Sequence, residues 1–310
     1  MSAAAPLSAA GPGAMCCGWH TNGLMDPLAI FLNHPKEFVV GARHDLVTRP
    51  LLGWWTRRLA VQPVVRKAEL LRGGCTEEEA LHLNGRSLLA LSSGVAHGFG
   101  CVLFPEGTSH SNAHMIRFKT GPVRTVLAAA AIAKSKEMPL PKVVPVGLHF
   151  RRREHFRTDQ FIEFGEPIEI VDDMVPSAMV EAVQQGGWIE PPESTVHRLR
   201  DALQEQLPYL TPNASTWEEH RAVHLLAHAE AREKGKKLHT WEEEVLAARN
   251  VRDTWPGSPA TFPPQPLEGE RMAHASEAAE LLEQAGLDGR DLGAKAVSYT
   301  HLTLPTSYPV

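Results

Sequence analysis

The sequence alternates short apolar runs with amphipathic helical patterns from Ala14 to about Ile170. This alternation is typical of an α/β domain, because helices that connect parallel strands cover the faces of the sheet. The runs that predict strands are Ala14–Trp19, Glu37–Ala42, Ala60–Val65, Gly100–Phe104, Lys142–Phe150 and Gln160–Phe164. Helical patterns lie near Asp26–Leu32, Leu51–Leu59, Glu77–Ser92 and Val123–Ser135. We therefore predict an α/β fold with a mostly parallel, twisted sheet flanked by helices.

Changes in composition divide the rest of the chain. Two prolines at 191 and 192 precede a charged segment with helical patterns at Glu193–Leu207 and Trp217–Arg252, which predicts an appended helical C-terminal region. Five prolines then lie between Trp255 and Pro266, before a short helix near Ser276–Ala285. The expected organisation is a flexible, shortened N-terminus over 1–13, the α/β domain over 14–190, the helical region over 191–254, a Pro-rich linker with a short helix over 255–295, and a non-native tail over 296–310.

Composition excludes several classes of protein. The chain has 310 residues, of which 43% are hydrophobic and 22% charged, so it can bury a sizeable core. Its formal net charge of -5 gives no overall basic field for nucleic acid. No apolar run approaches the ~18 residues of a spanning helix, and the four cysteines lack zinc spacing, which favours reduced thiols. We expect a cytoplasmic protein without a resident cofactor or metal, whose membrane contact is peripheral.

The first candidate site residues follow the strand that ends at Trp19. His20 comes next, and Asp26 opens a helical run after five intervening residues. A carboxylate that accepts a hydrogen bond from one imidazole nitrogen fixes the tautomer and stabilises the protonated ring, so the other nitrogen can act as a general base. Asp26 also fits a structural role as the N-cap of a helix that continues with Pro27. A carboxylate has two oxygens, so both roles stay open.

A second candidate site follows the strand Gly100–Phe104. The turn there contains Glu106, Gly107, Thr108 and Ser109. Exposed backbone N–H groups in such a turn, together with Arg66 and Lys119, predict an anion site with cationic walls, where Glu106 accepts a hydrogen bond from a substrate hydroxyl. Taken alone, the segment is also an ordinary turn and Arg66 a solvated strand end.

Four blocks in a fixed order resemble the glycerolipid acyltransferase superfamily of glycerol-3-phosphate and 1-acylglycerol-3-phosphate O-acyltransferases. The blocks run from His20 to Asp26, from Ala42 to Arg66, from Phe104 to Ser109 and from Val144 to Leu148. The His-x5-Asp spacing, with Ser109-His110 and Lys119-Thr120-Gly121 after the third block, is most similar to the glycerol-3-phosphate acyltransferase branch. The resemblance covers Ala14 to Ile170, about half of the chain.

This resemblance implies a glycerol-3-phosphate acyltransferase-like fold that moves a fatty acyl group from acyl-CoA or acyl carrier protein to a hydroxyl of glycerol-3-phosphate or a lysophospholipid, in phospholipid biosynthesis. His20 would be the general base and Asp26 its orienting carboxylate. The residues implied to bind glycerol and phosphate are Arg66, Glu106, Gly107, Thr108, Ser109 and Lys119, and those on the acyl or thioester side are Val144, Pro145 and Val146. The implied partners are the acyl donor, the glycerol-phosphate acceptor and, peripherally, a membrane surface. The alternative is a catalytically inactive homologue that binds lipid or acyl-CoA.

Other patterns are weaker. His110 and His114 have the spacing of two metal ligands on a helix, with no convincing third ligand nearby, and no Gly-x-Ser-x-Gly elbow of a serine hydrolase occurs. The run Arg151-Arg152-Arg153 fits either anionic headgroups and coenzyme A phosphates or a solvated strand exit. The helical region after residue 192 fits either membrane docking or packing on the α/β domain, and its mixed charge favours packing.

Overall fold

The computed structural model describes residues 11–23, 25–43, 54, 62–64, 76–155, 157–256 and 262–293. Its strands are β1 (Ala14–Gly18), β2 (Phe38–Val39), β3 (Gly41–Arg43), β4 (Gln62–Val64), β5 (Gly100–Val102), β6 (Lys142–Phe150), β7 (Gln160–Phe164) and β8 (Ile168–Glu169). Its helices are α1 (Met25–Asn33), α2 (Glu77–Ala96), α3 (Gly121–Ser135), α4 (Ser177–Gln184), α5 (Glu193–Gln206), α6 (Trp217–Glu233), α7 (Trp241–Asp253) and α8 (Glu270–Gln284).

The main sheet is mostly parallel, as the sequence predicts. β1 lies inside it and pairs in parallel with β5 on one side and with β6 on the other. β2 continues the parallel part beyond β5, whereas β7 and β8 pair with β6 in the antiparallel direction. β3 and β4 form a separate parallel pair. Because parallel strands end at the same edge of a sheet, the loops that follow β1 and β5 lie side by side.

Both faces of β1 are buried, which explains why its sequence is apolar throughout. Successive side chains of a strand point to opposite faces. Met15 and Cys17 pack into the core that contains α2 and α3, whereas Cys16 packs on the opposite face against Ala29 and Ile30 of α1. A parallel strand that is covered on both sides requires such a continuous apolar run. The residue after β1 therefore emerges from a rigid, buried element.

The C-terminal helical region differs in detail from the prediction. The helical pattern predicted at Trp217–Arg252 forms two helices, α6 and α7, because the chain turns at Gly235, where φ is +68°. Thr216 and Thr240 begin the two helices, each accepting a backbone N–H of the first turn through its side chain. α6, α7 and α8 share a small apolar core of their own. α4 is an additional helix that the sequence analysis missed.

The helical region packs against the α/β domain, as its mixed charge predicts. The indole N–H of Trp217 donates to the carbonyl of Ser111 over 2.6 Å, and that of Trp241 donates to the carbonyl of His149 over 3.0 Å. None of the helices that the structure describes combines the length and apolarity needed to span a bilayer. Of the predicted helix at Leu51–Leu59 only Trp54 is described, and the predicted tail at 296–310 lies outside the described residues.

Candidate active site

His20 and Asp26 form a hydrogen-bonded pair directly after β1. Nδ1 of His20 lies 3.0 Å from Oδ2 of Asp26, and a carboxylate accepts, so Nδ1 carries the proton. Asp26 is completely buried, whereas the side chain of His20 keeps 13% of its exposure. The pair therefore leaves Nε2 as the acceptor nitrogen that a bound reactant can reach. The sequence predicted this juxtaposition.

The carboxylate of Asp26 also shapes the loop before it. Its Oδ2 accepts the backbone N–H groups of Thr21 and Asn22, both over 2.7 Å. α1 begins at Met25, so Asp26 lies within the helix and does not occupy the N-cap position that the structural alternative required. Asn22 instead supplies a cap-like bond, because its Oδ1 accepts the N–H of Met25 over 3.1 Å. One oxygen of Asp26 thus orients the imidazole and the loop together.

The segment after β5 closes around His20. The ring of Phe104 stacks on the imidazole, with 3.9 Å between ring centroids and 9° between planes. The backbone N–H of His110 donates to the carbonyl of His20 over 3.1 Å. The imidazole plane is therefore fixed by a hydrogen bond at its edge and by an aromatic ring on its face. The sequence analysis missed Phe104, although it lies in the third motif.

Glu106 is held by hydrogen bonds within the protein. It is completely buried. One carboxylate oxygen accepts the backbone N–H of His20 over 2.9 Å, while the other accepts the N–H of Ile116 over 2.8 Å and contacts Nε2 of His110 at 2.6 Å. Burial raises the pKa of Glu106, and these hydrogen bonds oppose the rise. Protein donors bond to both oxygens, so Glu106 braces the His20 loop, and the expected contact with a substrate hydroxyl stays a prediction.

The remaining phosphate-site candidates share the turn after Glu106. Thr108, Ser109 and Lys119 are exposed. Gly107 has a φ of +67°, and a β-carbon there would lie 2.9 Å from Nζ of Lys119, so only glycine lets the lysine lie across the turn. Two hydroxyls and an ammonium group near the His20 loop are suitable donors for an anion. Arg66, the other predicted cation, lies outside the described residues.

The three acyl-side candidates of the fourth motif lie in the buried middle of β6. Val144, Pro145 and Val146 pair with residues 16–18 of β1. They pack inside the domain and do not line the large cavity described below. The structure therefore places them in the core, and the acyl-side role stays a prediction.

The side chains of His110 and His114, which have the spacing of two metal ligands, both contact other parts of the protein. His110 bonds Glu106 through Nε2, and Nδ1 of His114 lies 3.0 Å from the carbonyl of Ala214. Within the part of the chain that the structure describes, no group of three His, Cys, Asp or Glu side chains is arranged to hold a metal.

Burial raises the pKa of Cys16 and of Cys101 to about 12, so neither supplies a thiolate near neutral pH.

A cavity of about 570 Å³ opens beside the His20 loop. Its walls come from Trp19 and Thr21, from residues 150–154 at the end of β6, from the helices α6, α7 and α8, and from residues 287–289 after α8. We call it the C-terminal cavity. The sequence analysis missed it because its walls are distant in the chain; the tryptophans that begin α6 and α7 were the available signal.

A histidine held by a buried carboxylate at the carboxyl edge of a parallel sheet defines a class of α/β protein equipped to take a proton from a bound group. Residues 6–149 match the family model described as Acyltransferase. This match covers 144 of the 310 residues and agrees with the glycerolipid acyltransferase superfamily that the four motifs predict.

Named relatives agree with this assignment. Glycerol-3-phosphate O-acyltransferase 2 of Saccharomyces cerevisiae is 29% identical over 151 residues, which are 48% of this chain and 19% of that protein. The 1-acyl-sn-glycerol-3-phosphate acyltransferase of Streptococcus pneumoniae is 28% identical over 151 residues, 47% of each protein. The chain thus spans less than half the length of these curated relatives. The crystal structure of the 1-acyl-sn-glycerophosphate (LPA) acyltransferase from Thermotoga maritima aligns over 62% of this chain and 68% of its own, with 16% identity and a TM-score of 0.36, too low to support an assignment.

The bracing role of Glu106 predicts a loss of stability in Glu106→Gln. A carboxamide has one oxygen, so the N–H of either His20 or Ile116 loses its acceptor, and we expect the free energy of unfolding to fall by about 1–3 kcal/mol. Urea-induced unfolding measures it. The control is Glu169→Gln, which removes an exposed carboxylate paired with Lys142 and should change stability by less than about 1 kcal/mol. Equal losses in the two variants would show that Glu106 is no brace.

Proposed function

We propose that this protein transfers a fatty acyl group from a thioester, acyl-CoA or acyl carrier protein, to a hydroxyl of glycerol-3-phosphate or a lysophospholipid. The observation that carries the proposal is the His20–Asp26 pair, which lies within the family match. The two curated relatives described above are named for acyltransferases with glycerol-phosphate acceptors, which supports this acceptor class.

The proposed reaction is a direct transfer. Nε2 of His20 takes the proton of the acceptor hydroxyl while the hydroxyl oxygen attacks the thioester carbonyl. A carbon–oxygen bond forms, the carbon–sulfur bond breaks, and the proton passes to the departing thiolate. Asp26 stabilises the imidazolium that exists between these proton transfers. No covalent acyl-enzyme is required, which agrees with the buried, protonated state of Cys16 and Cys101.

The exposed turn beside the base is the proposed site of the acceptor phosphate. Thr108, Ser109 and Lys119 offer hydroxyl and ammonium donors there. The turn is tied to the base, because the N–H of His110 donates to the carbonyl of His20. A phosphate held in this turn would keep a glycerol hydroxyl near Nε2, and such positioning accounts for a large part of the rate enhancement in group transfer.

The test of the proposed function is an acyl transfer assay with the full chain. Palmitoyl-CoA is supplied with glycerol-3-phosphate or, separately, with lysophosphatidic acid, and the acylated product is quantified. Product with one acceptor supports the proposal and identifies the branch. A folded protein that forms product with neither acceptor, from palmitoyl-CoA or palmitoyl-acyl carrier protein, contradicts transfer. Binding of palmitoyl-CoA without turnover would then support the inactive, lipid-binding alternative.

Peripheral membrane association is part of the proposal, and an apolar stripe on α1 supports it. Met25, Leu28 and Leu32 keep 46%, 38% and 81% of their exposure, and their spacing places them on one face of the helix. The helix follows the His20 loop directly. A membrane contact through this stripe would bring lipid substrates to the base.

The stripe predicts that Leu32→Glu weakens membrane binding. Burying one leucine side chain contributes about 1.5–3 kcal/mol, so we expect at least tenfold weaker binding to phosphatidylglycerol-containing vesicles in a sedimentation assay. The matched control is Leu281→Glu on α8, where the leucine is also exposed, at 62%. If the two variants bind vesicles equally well, α1 is not the contact surface.

A further inference from the structure

The C-terminal cavity has no role in the mechanism above. We propose that it holds the fatty acyl chain of a substrate whose polar end is anionic, with Arg153 at that end. This inference rests on the proposed function, because it names where a substrate of that reaction lies. It also assigns a role to helices α6, α7 and α8, which lie outside the segment that matches the acyltransferase family.

The cavity borders the His20 loop, although His20 itself is not one of its lining residues. Trp19 and Thr21, the two residues that flank His20, both line it. Arg153 lines it as well and donates to the carbonyl of His110 over 3.3 Å, and the N–H of His110 donates in turn to the carbonyl of His20. A ligand that fills the cavity therefore has one end beside the His20 loop and Arg153.

The lining fits an apolar chain. Its apolar members include Trp19, Phe150, Trp217, Trp241, Leu282 and Leu287. The volume of about 570 Å³ lies within the range of about 300–1,000 Å³ that is usual for ligand pockets. Aromatic and leucine side chains offer a flexible hydrocarbon many dispersion contacts and few hydrogen bonds. These properties favour a long acyl chain over a polar ligand.

Most charged side chains of the lining neutralise one another. The ion pairs are Arg151–Glu244 at 2.7 Å, Arg152–Glu283 at 3.5 Å and Arg221–Glu218 at 3.4 Å. A lining whose charges are paired does not attract a polyanion such as the nucleotide part of coenzyme A. This pairing further favours a hydrocarbon in the body of the cavity.

Arg153 and its neighbour Glu154 are the charged lining residues that form no ion pair among the residues that the structure describes. No carboxylate lies within ion-pair distance of Arg153 among those residues, and its guanidinium lies 5.3 Å from the ring centroid of Trp217. Only one of its five N–H donors is bonded to the carbonyl of His110, so others remain for an anionic group. Its contact with the carbonyl of His110 places it near the His20 loop, which suits the polar end of a lipid whose chain runs away from that loop.

Two substrates carry both a long chain and an anionic group: lysophosphatidic acid, whose phosphate is on the same glycerol as the acyl ester, and acyl-CoA, whose phosphates are separated from the thioester by the pantetheine arm. The test substitutes Leu282, which lines the cavity, in Leu282→Trp, so that the larger ring narrows it. The matched control is Leu281→Trp, at the adjacent position of α8, where the leucine is exposed and does not line the cavity. Circular dichroism and thermal unfolding establish that both variants fold.

Binding is measured without turnover, by the fluorescence of the tryptophans that line the cavity, with palmitoyl-CoA, octanoyl-CoA, palmitoyl-lysophosphatidic acid and glycerol-3-phosphate as separate probes. Each buried methylene should tighten binding about fourfold, so the wild type should prefer palmitoyl to octanoyl chains. Leu282→Trp should weaken palmitoyl-CoA at least tenfold and spare octanoyl-CoA if the donor chain occupies the cavity. Weakened lysophosphatidic acid binding with unchanged palmitoyl-CoA would assign the cavity to the acceptor chain.

The same data separate this inference from the proposed function. Chain-length-independent binding, or equal effects of Leu282→Trp and Leu281→Trp, would overturn the cavity assignment even if the enzyme transfers acyl groups. Chain-dependent binding that Leu282→Trp abolishes, in a protein that makes no acylated product, would retain the cavity and contradict transfer.

Discussion

The His20→Ala variant should retain about a hundredth to a ten-thousandth of the wild-type rate of acyl transfer, the range that removal of a general base produces. The expectation follows from the geometry of the pair, because Asp26 holds Nδ1 and Phe104 holds the ring plane, which leaves Nε2 as the proton acceptor. The measurement is kcat with saturating donor and acceptor, and palmitoyl-CoA binding should be nearly unchanged.

The control for this prediction is His197→Ala. His197 lies on α5, keeps 44% of its side-chain exposure and pairs only loosely with Glu193, at 3.7 Å. Its loss should leave kcat unchanged. If His20→Ala keeps a tenth or more of the wild-type kcat, another group takes the proton, and the general-base role assigned to His20 is wrong.

The sequence predicted the part of the fold that positions His20. The apolar run Ala14–Trp19 was identified as a strand because a strand buried on both faces has no polar position, and the structure places β1 at Ala14–Gly18. The proximity of His20 and Asp26 was predictable because a short loop after a strand can bring two residues of nearby sequence together. For the strand β1 and for the His20–Asp26 pair, the residues adjacent in sequence were sufficient for the prediction.

The hydrogen-bond partners of Glu106 could not be predicted from the residues adjacent to it in sequence. The motif around it is compatible with a side chain that points outward to a substrate or inward to the protein. Its direction depends on donors that come from other parts of the chain: the N–H of His20, which is 86 residues away, and that of Ile116, which is ten residues away. A pattern of residue types does not specify such donors, so the sequence predicted the residue but not these protein partners.

The C-terminal cavity could not be predicted for the same reason, because its walls come from residues that are even further apart in the sequence. Arg151 and Glu244 are 93 residues apart, and Trp241 and the carbonyl of His149 are 92 apart. The sequence predicted helices after residue 192 and their packing on the domain, because composition and charge report on each segment separately. The space enclosed between the segments depends on their relative placement, which no single segment encodes.

Comparing Asp26→Asn with Asp26→Ala should separate the charge of Asp26 from its shape. The single oxygen of an asparagine placed where Oδ2 lies can still accept from Nδ1 of His20 and from the N–H groups of Thr21 and Asn22. The loop then keeps its conformation, but the negative charge that stabilises the imidazolium is lost. We expect kcat to fall about a hundredfold or more, within the range for general acid–base catalysis, with a small loss of stability.

Asp26→Ala should damage both properties. Two backbone N–H groups lose their acceptor, which costs about 1–3 kcal/mol for each that stays buried, and the imidazole loses its fixed tautomer. Urea-induced unfolding and kcat, measured on both variants, distinguish the contributions, with Asp172→Asn as the control because that carboxylate is 82% exposed. If Asp26→Asn transfers acyl groups at the wild-type rate, the charge does not assist the base, and Asp26 serves only to hold the loop that presents His20.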